Sequence, residues 1–176
     1  MKRISKEDTE KVAKAFNKEV WIDENGRITF NGSRAVVVST NYYPYGEGTV
    51  SSLRPILYRN GMNAGKNIVS KMKKLNNNNL IMDFVLAFLV FIGFGTFEVV
   101  SETESEVLIR LHDSFEADSY KKNSDKPATQ PVCHFTRGIL DEVFSELKGK
   151  AVAVEETTCA AMGGSYCEFK ITVSEK

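Results

Sequence analysis

The chain has 176 residues, 42% of them hydrophobic and 26% charged, with 23 basic residues balanced by 23 acidic ones. This length and composition are typical of one globular domain, and without clustered positive charge we expect no nucleic-acid partner. Residues 1–19 are charged and lack the continuous apolar stretch of a secretory signal. We therefore expect a single domain, residues 1–176, in the cytoplasm, where cysteines more often bind metal or react than form disulfides.

The first part of the chain predicts two helices with a β-rich segment between them. Residues 5–19 have the apolar spacing of an amphipathic helix, and residues 50–75 show the same spacing. Between them, two Asn-Gly pairs separate short β-rich runs, which is typical of hairpin turns. Gly61 and Gly65 lie four residues apart in the second helix and leave a smooth face where another backbone can approach closely.

A strongly apolar segment, FVLAFLVFI, follows at residues 84–92. A membrane-spanning helix needs about 20 apolar residues, whereas Asp83 and Glu98 bracket a much shorter run here. A segment that is hydrophobic on all sides is also typical of a helix packed inside a protein core. The sequence therefore predicts a buried helix and no membrane partner.

The second half of the chain predicts antiparallel strands around one further helix. Residues 96–115 have the pattern of two strands, and the long polar stretch 116–130 predicts a loop. Residues 133–150 have helical spacing, and two final strands are joined by a turn through Gly163 and Gly164. Because strands and helices do not alternate regularly, we predict an α+β fold in which a small antiparallel sheet is flanked by helices.

Three cysteines are the candidates for chemistry. Cys133 begins the last predicted helix, where free backbone N–H groups favour a thiolate, and Cys159 and Cys167 flank the final turn. Three thiolates meeting at one point suit zinc, which prefers four ligands from cysteine, histidine and carboxylate. From the residues alone, the fourth ligand stays open among Glu155, Glu156, His134 and His112.

Three other interpretations of the cysteines compete with a metal site. They can simply be small buried apolar residues of the core. A catalytic pair of Cys133 and His134 is disfavoured, because adjacent residues on a helix point about 100° apart. A redox pair of Cys159 and Cys167 lacks the tight C-x-x-C spacing of such pairs.

The C-terminal third, residues 133–171, resembles the 4-vinyl reductase domain family, which also supplies the sensor half of phenol- and xylene-responsive bacterial activators. The family pattern is a cysteine at the start of a helix, F-x-x-G within that helix, and then E-x-x-C-x-x-x-G-x-x-x-C-x-F. The matching positions in this sequence are Cys133, Phe135, Gly138, Glu156, Cys159, Gly163, Cys167 and Phe169. Upstream elements agree in order, so the resemblance covers the whole chain, which looks like a small archaeal-type stand-alone version.

The resemblance implies a structural zinc ion held by three cysteines and one glutamate. By position in the motif these are Cys133, Glu156, Cys159 and Cys167, whereas strict strand alternation would instead favour Glu155. A zinc ion with four protein ligands has no open position, so its role is structural.

The resemblance also implies a fold related to haem-based nitric oxide sensors and to a Golgi-transport tethering subunit. Such domains have an apolar cavity, are commonly homodimers, and bind a hydrocarbon-like or aromatic ligand. The candidate lining residues are Tyr58, Met62, Phe84, Phe88, Phe91, Phe94 and His112, some of which are expected to be ordinary core residues.

Two alternatives to a ligand sensor remain after the sequence. One is a protein-interaction or scaffold homodimer related to the tethering subunits. The other is an enzyme, a tetrapyrrole vinyl reductase, which the family name suggests. An enzyme is disfavoured because reduction needs an electron donor, and no nicotinamide or flavin motif is visible.

Overall fold

The computed structural model describes residues 2–16, 20–22, 28–30, 33–34, 47–75 and 82–174. In chain order the elements are β1 (Lys2–Arg3), α1 (Lys6–Phe16), β2 (Val20–Ile22), β3 (Ile28–Phe30), β4 (Ser33–Arg34), α2 (Glu47–Leu75), α3 (Met82–Phe91), β5 (Thr96–Glu102), β6 (Glu106–His112), α4 (Phe115–Asn123), α5 (His134–Lys148), β7 (Val152–Thr158), a short 3-10 helix (Ala160–Met162) and β8 (Cys167–Val173).

The strands form two antiparallel sheets. The larger sheet has five strands in the order β1-β5-β6-β8-β7, and the smaller has three in the order β2-β3-β4. Strand β6 lies between β5 and β8, with Ile109 opposite Val99 on one side and Phe169 on the other. The predicted α+β fold, a small antiparallel sheet with helices, is confirmed.

One face of the five-stranded sheet carries the hydrophobic core. Alternate residues of β6 and β8 face it and are at most 1% exposed, namely Val107, Ile109, Leu111, Cys167, Phe169 and Ile171. Helix α5 contacts β7 and β8 and adds its own buried apolar residues, Ile139, Leu140, Val143 and Phe144. Since burying one such side chain contributes about 1.5–3 kcal/mol, this contact is a main source of stability for the C-terminal part.

Helices α2 and α5 pack against each other at unusually short range. A Cβ atom built on Gly61 would lie 2.2 Å from the backbone oxygen of Phe135, and one on Gly138 would lie 2.1 Å from that of Tyr58. A Cβ on Gly65 would lie 2.8 Å from the Cβ of Glu142. The close approach predicted for Gly61 and Gly65 is therefore confirmed, and Gly138 supplies the matching surface on α5.

The apolar segment forms α3, whose central residues, Val85 to Leu89, are buried among α1, α2 and β5. No helix among the described residues combines the length and the hydropathy needed to cross a bilayer. The prediction of a buried helix is confirmed, because α3 is shorter than a span and packs on several sides.

The prediction of a loop over residues 116–130 is wrong for its first half, because Phe115–Asn123 is the helix α4. Ser114 caps this helix by accepting the backbone N–H of Ala117 at 3.4 Å. Its polar composition is typical of a surface loop, yet Glu116 and Ser119 are fully buried. These side chains have partners inside the protein, and composition alone does not show that.

Candidate metal centre

Four buried side chains from the C-terminal part meet at one point. One ligand atom each of Cys133, Glu156, Cys159 and Cys167 lies within 4.8 Å of all the others. The sulfur atoms of Cys133 and Cys167 are 3.4 Å apart. In a tetrahedral site with Zn–S bonds of about 2.3 Å, neighbouring sulfurs are about 3.8 Å apart. The four groups are thus close enough to bind a single ion.

An irregularity in β7 places the glutamate. Glu156 pairs with Phe169, but the next pair is Thr158 with Glu168, so one extra residue, Thr157, is inserted between them. A β-bulge of this kind reverses the alternation of side chains, which returns Cys159 to the same side as Glu156. The structure therefore groups Glu156 with the thiols, whereas Glu155 is exposed to solvent.

A short turn brings the last two cysteines together. The backbone oxygen of Cys159 accepts N–H groups from Met162 at 3.0 Å and from Gly164 at 3.3 Å. Gly163 has a φ of 99°, a conformation that favours glycine. The N–H of Ala160 points at the sulfur of Cys167 at 3.4 Å. This turn folds the chain back so that both sulfurs lie on its inner side.

The electrostatics of the cluster favour a bound cation. Burial, together with the charge of Cys159, raises the pKa of Glu156 to about 9. Burial also raises the pKa of Cys133 well above its ordinary value, while hydrogen bonds from Cys133 and Cys167 lower the pKa of Cys159. Without a cation the cluster holds a thiolate at Cys159 and keeps protons on Cys133 and Glu156. A divalent cation removes this penalty, because it stabilises every donor in its deprotonated form.

Glu156 also has a free lone pair that faces this cluster. Its Oε2 accepts the N–H of Cys133 at 2.9 Å, but its buried Oε1 has no hydrogen-bond partner among the described residues. An unsatisfied buried acceptor costs about 1–3 kcal/mol, and a metal ion would satisfy it. Three thiols and one carboxylate suit a borderline-soft cation such as zinc.

All four of these residues lie in the last part of the chain, and this part is similar to a known family. Residues 107–173, from the start of β6 to the end of β8, match the model of the 4-vinyl reductase domain. The resemblance predicted from the motif is confirmed.

Two curated proteins share sequence with the chain. An uncharacterised protein of Methanocaldococcus jannaschii is 26% identical over 124 residues, which cover 70% of this chain and 67% of that protein. The bacteriochlorophyll synthase 23 kDa chain of Cereibacter sphaeroides is 32% identical over 81 residues, 46% of this chain and 35% of that protein.

Three solved structures share the fold at low sequence identity. The phenol-responsive sensory domain of the transcription activator PoxR, solved with phenol, has a TM-score of 0.77 and 16% identity, over 94% of this chain and 90% of that one. A vinyl-4-reductase family protein from Methanocaldococcus jannaschii has a TM-score of 0.54 and 16% identity, over 80% and 85%. A trafficking protein particle complex subunit 3 from Naegleria fowleri, covalently bound to palmitic acid, has a TM-score of 0.50 and 14% identity, over 72% and 82%.

Helix α4 supports the candidate metal centre from outside. The Ser114 hydroxyl lies 3.3 Å from the sulfur of Cys133. The fully buried Glu116 accepts the N–H of Phe135 at 3.0 Å and that of Thr136 at 2.8 Å. These contacts fix the first turn of α5, where Cys133 is the capping residue. The sequence analysis missed both residues, although Ser114 before two acidic residues is a helix-start signal.

We expect Glu116→Gln to lower the free energy of unfolding by about 1.5–3 kcal/mol, because an amide presents only one acceptor to two N–H groups. Urea unfolding followed by circular dichroism measures this loss. The matched control is Asp118→Asn on the same helix, whose side chain pairs with the exposed Lys121 and is 41% exposed itself. The control should change the free energy by less than about 0.5 kcal/mol. Equal effects of the two variants would show that Glu116 does not fix α5.

The predicted pocket residues lie in different parts of the fold. Tyr58 and Met62 lie on α2 at the crossing with α5. Of three described clefts, with volumes of about 150, 350 and 540 Å³, only the smallest is lined by a predicted pocket residue, Phe84. Phe88 is 5% exposed and part of the core, and Phe91 packs against that core.

The last two predicted pocket residues are also apart from each other. Phe94 packs against Phe115 and Phe135, with ring centroids 4.8 and 6.0 Å away. His112 lies half-buried on the sheet, where its Nε2 is 3.1 Å from a carboxylate oxygen of Glu98. The described residues do not gather the predicted set around one cavity, so the pocket stays a prediction.

Proposed function

We propose that the protein is a sensor domain for a small apolar or aromatic molecule, with a structural zinc ion in its C-terminal part. The observation that carries this proposal is the likeness to the PoxR sensory domain, which extends over 94% of the chain at a TM-score of 0.77. The match to the 4-vinyl reductase domain supports it, since it covers the segment that contains the candidate metal centre.

The ligand class is supported by what two structural relatives hold. The PoxR domain binds phenol, and the Naegleria fowleri subunit carries palmitic acid. Both molecules are mainly apolar, and this chain supplies an apolar helix, α3, and a cluster of phenylalanine rings around Phe94. Several apolar side chains of that kind are what a hydrocarbon-binding cavity requires.

Zinc is the proposed metal, bound by Cys133, Glu156, Cys159 and Cys167. When bound, it supplies a strong link between deprotonated ligands that are distant in sequence. Here it would connect the start of α5 to the β7–β8 hairpin. Since the four protein donors complete a tetrahedral shell, its contribution is to stability and shape.

We expect Glu156→Gln to weaken zinc binding at least about tenfold, because the neutral amide replaces the one charged oxygen ligand. Competition with a chromophoric chelator measures the affinity. The neighbouring Glu155→Gln is the matched control, since its exposed side chain points away from the thiols. We expect the control to bind zinc as the wild type does. Equal affinities of the two variants would remove Glu156 from the ligand set.

A protein-interaction module is the second candidate function. It is favoured by the likeness to a trafficking complex subunit, although that likeness is weaker, with a TM-score of 0.50. Homodimerisation and a cytoplasmic location remain predictions under both proposals.

Organic extraction of the purified protein, followed by mass spectrometry, separates the two candidates. A stoichiometric apolar or aromatic compound supports the sensor, and titration with phenol then measures binding directly. The absence of any extracted compound, together with no heat of binding for phenol or toluene, would contradict the sensor and favour the interaction module.

A further inference from the structure

Buried nitrogen atoms without partners lie near the start of α5, outside the candidate metal centre. They are the Nε atoms of Arg54 and Arg137 and both ring nitrogens of His134. None of them has a hydrogen-bond partner among the described residues. His134 is only 2% exposed. Because buried donors without acceptors cost about 1–3 kcal/mol each, and more when charged, such a group of donors calls for an acceptor.

These donors converge because α2 and α5 touch here. Arg54 and Tyr58 lie one turn apart on α2, and His134 and Arg137 lie one turn apart on α5. The guanidinium carbon of Arg137 is 4.8 Å from the centre of the Tyr58 ring. Arg54 donates through a terminal nitrogen to Gln130, shortly before α5. Both guanidinium groups are therefore held near the first turn of α5.

Two acidic side chains of this region are already engaged elsewhere. Asp141 accepts the hydroxyl of Tyr58. Glu116 uses both oxygens for the backbone of α5. Since a guanidinium group stays protonated in proteins, Arg54 and Arg137 concentrate positive charge beside the imidazole of His134. The missing acceptor is therefore expected to be an anion.

We propose that Arg54, Arg137 and His134 form a binding site for the carboxylate group of a small organic acid. A guanidinium group presents Nε and Nη donors in a planar fork that matches the two oxygens of a carboxylate. Contact with the Tyr58 ring holds the fork of Arg137 in place, so little side-chain entropy is lost on binding. The site rests on the proposed sensor function, and it adds that the ligand is an acid.

Isothermal titration with benzoate and with its neutral isostere benzamide tests the site, with formate as the smallest carboxylate probe. We expect the wild type to bind benzoate at least about tenfold more tightly than benzamide. Arg54→Gln and Arg137→Lys should abolish this preference, because the first loses the charge and the second loses the planar fork. The control Arg59→Gln alters an exposed arginine of the same helix and should keep the preference. Circular dichroism verifies that every variant is folded.

The outcomes separate this site from the sensor proposal. If benzamide binds and benzoate does not, the sensor stands and the carboxylate site is wrong. If formate binds through Arg54 and Arg137 while no aromatic compound binds, the site stands and the aromatic sensor is wrong. Equal binding of benzoate and benzamide, no binding of any carboxylate, or an unchanged preference in Arg54→Gln would each overturn the site. Binding of inorganic phosphate in place of both carboxylates would also overturn it.

Discussion

Cys159→Ser is expected to leave most of the protein unfolded or aggregated at room temperature. A structural zinc ion contributes about 10–16 kcal/mol in small zinc-dependent domains, whereas whole domains are stable by only about 5–15 kcal/mol. Loss of one ligand therefore removes a large part of the stability, and it also leaves the remaining donors of the cluster buried without a cation. Thermal unfolding followed by circular dichroism, together with size-exclusion chromatography, measures the effect.

Met162→Ser is the matched control for this variant. Met162 belongs to the same turn between β7 and β8, but its side chain is 43% exposed. We expect this control to unfold within a few degrees of the wild type, since exposed substitutions usually change stability by less than about 0.5 kcal/mol. Near-native thermal stability of Cys159→Ser would show that the cluster is not a structural metal site.

Gly138→Ala is expected to lower the free energy of unfolding by about 3 kcal/mol. The added Cβ would lie 2.1 Å from the backbone oxygen of Tyr58 and 2.9 Å from the backbone nitrogen of Met62. Backbone atoms cannot rotate away, so α2 and α5 must separate and lose contact along their length. Overpacking of this kind costs about 1–3 kcal/mol or more, which outweighs the gain of about 1 kcal/mol in helix propensity.

Urea unfolding measures the effect of Gly138→Ala. Asn63→Ala is the control, because it also places alanine in a helix of this pair but at an exposed position of α2. The control should be neutral or slightly stabilising, since alanine has the higher helix propensity. If both variants were equally stable, the short approach of the two helices would not contribute to the fold.

The elements with a strong apolar period could be predicted from sequence, and those with buried polar residues could not. Helices α2, α3 and α5 and strands β5 to β8 all follow the pattern of their apolar side chains. Helix α4 was missed because two of its inward-facing residues, Glu116 and Ser119, are polar. Their partners come from distant parts of the chain, and a periodicity in hydrophobicity does not register them.

The candidate metal residues could be predicted because the motif fixes their spacing, whereas strand alternation alone points to the wrong glutamate. The reason is the bulge at Thr157, which reverses the alternation between Glu156 and Cys159. A single inserted residue of this kind leaves no clear mark in composition. The spacing of the family motif contains it implicitly.

The ligand site was the hardest part to predict, because it depends on which side chains meet in space. Aromatic residues at helical spacing indicate only a buried face, and Phe88 and Phe94 lie in that buried face. The basic group around Arg137 was not noticed, because its members come from two helices and each is unremarkable alone. Only their lack of partners in the fold distinguishes them.

Native mass spectrometry of the freshly purified, unchelated chain tests the central claim most directly. The account predicts a folded protein that carries one zinc ion per chain and loses its compact charge distribution when a strong chelator removes the metal. A folded, compact protein whose mass equals that of the polypeptide alone, with no metal, would contradict it.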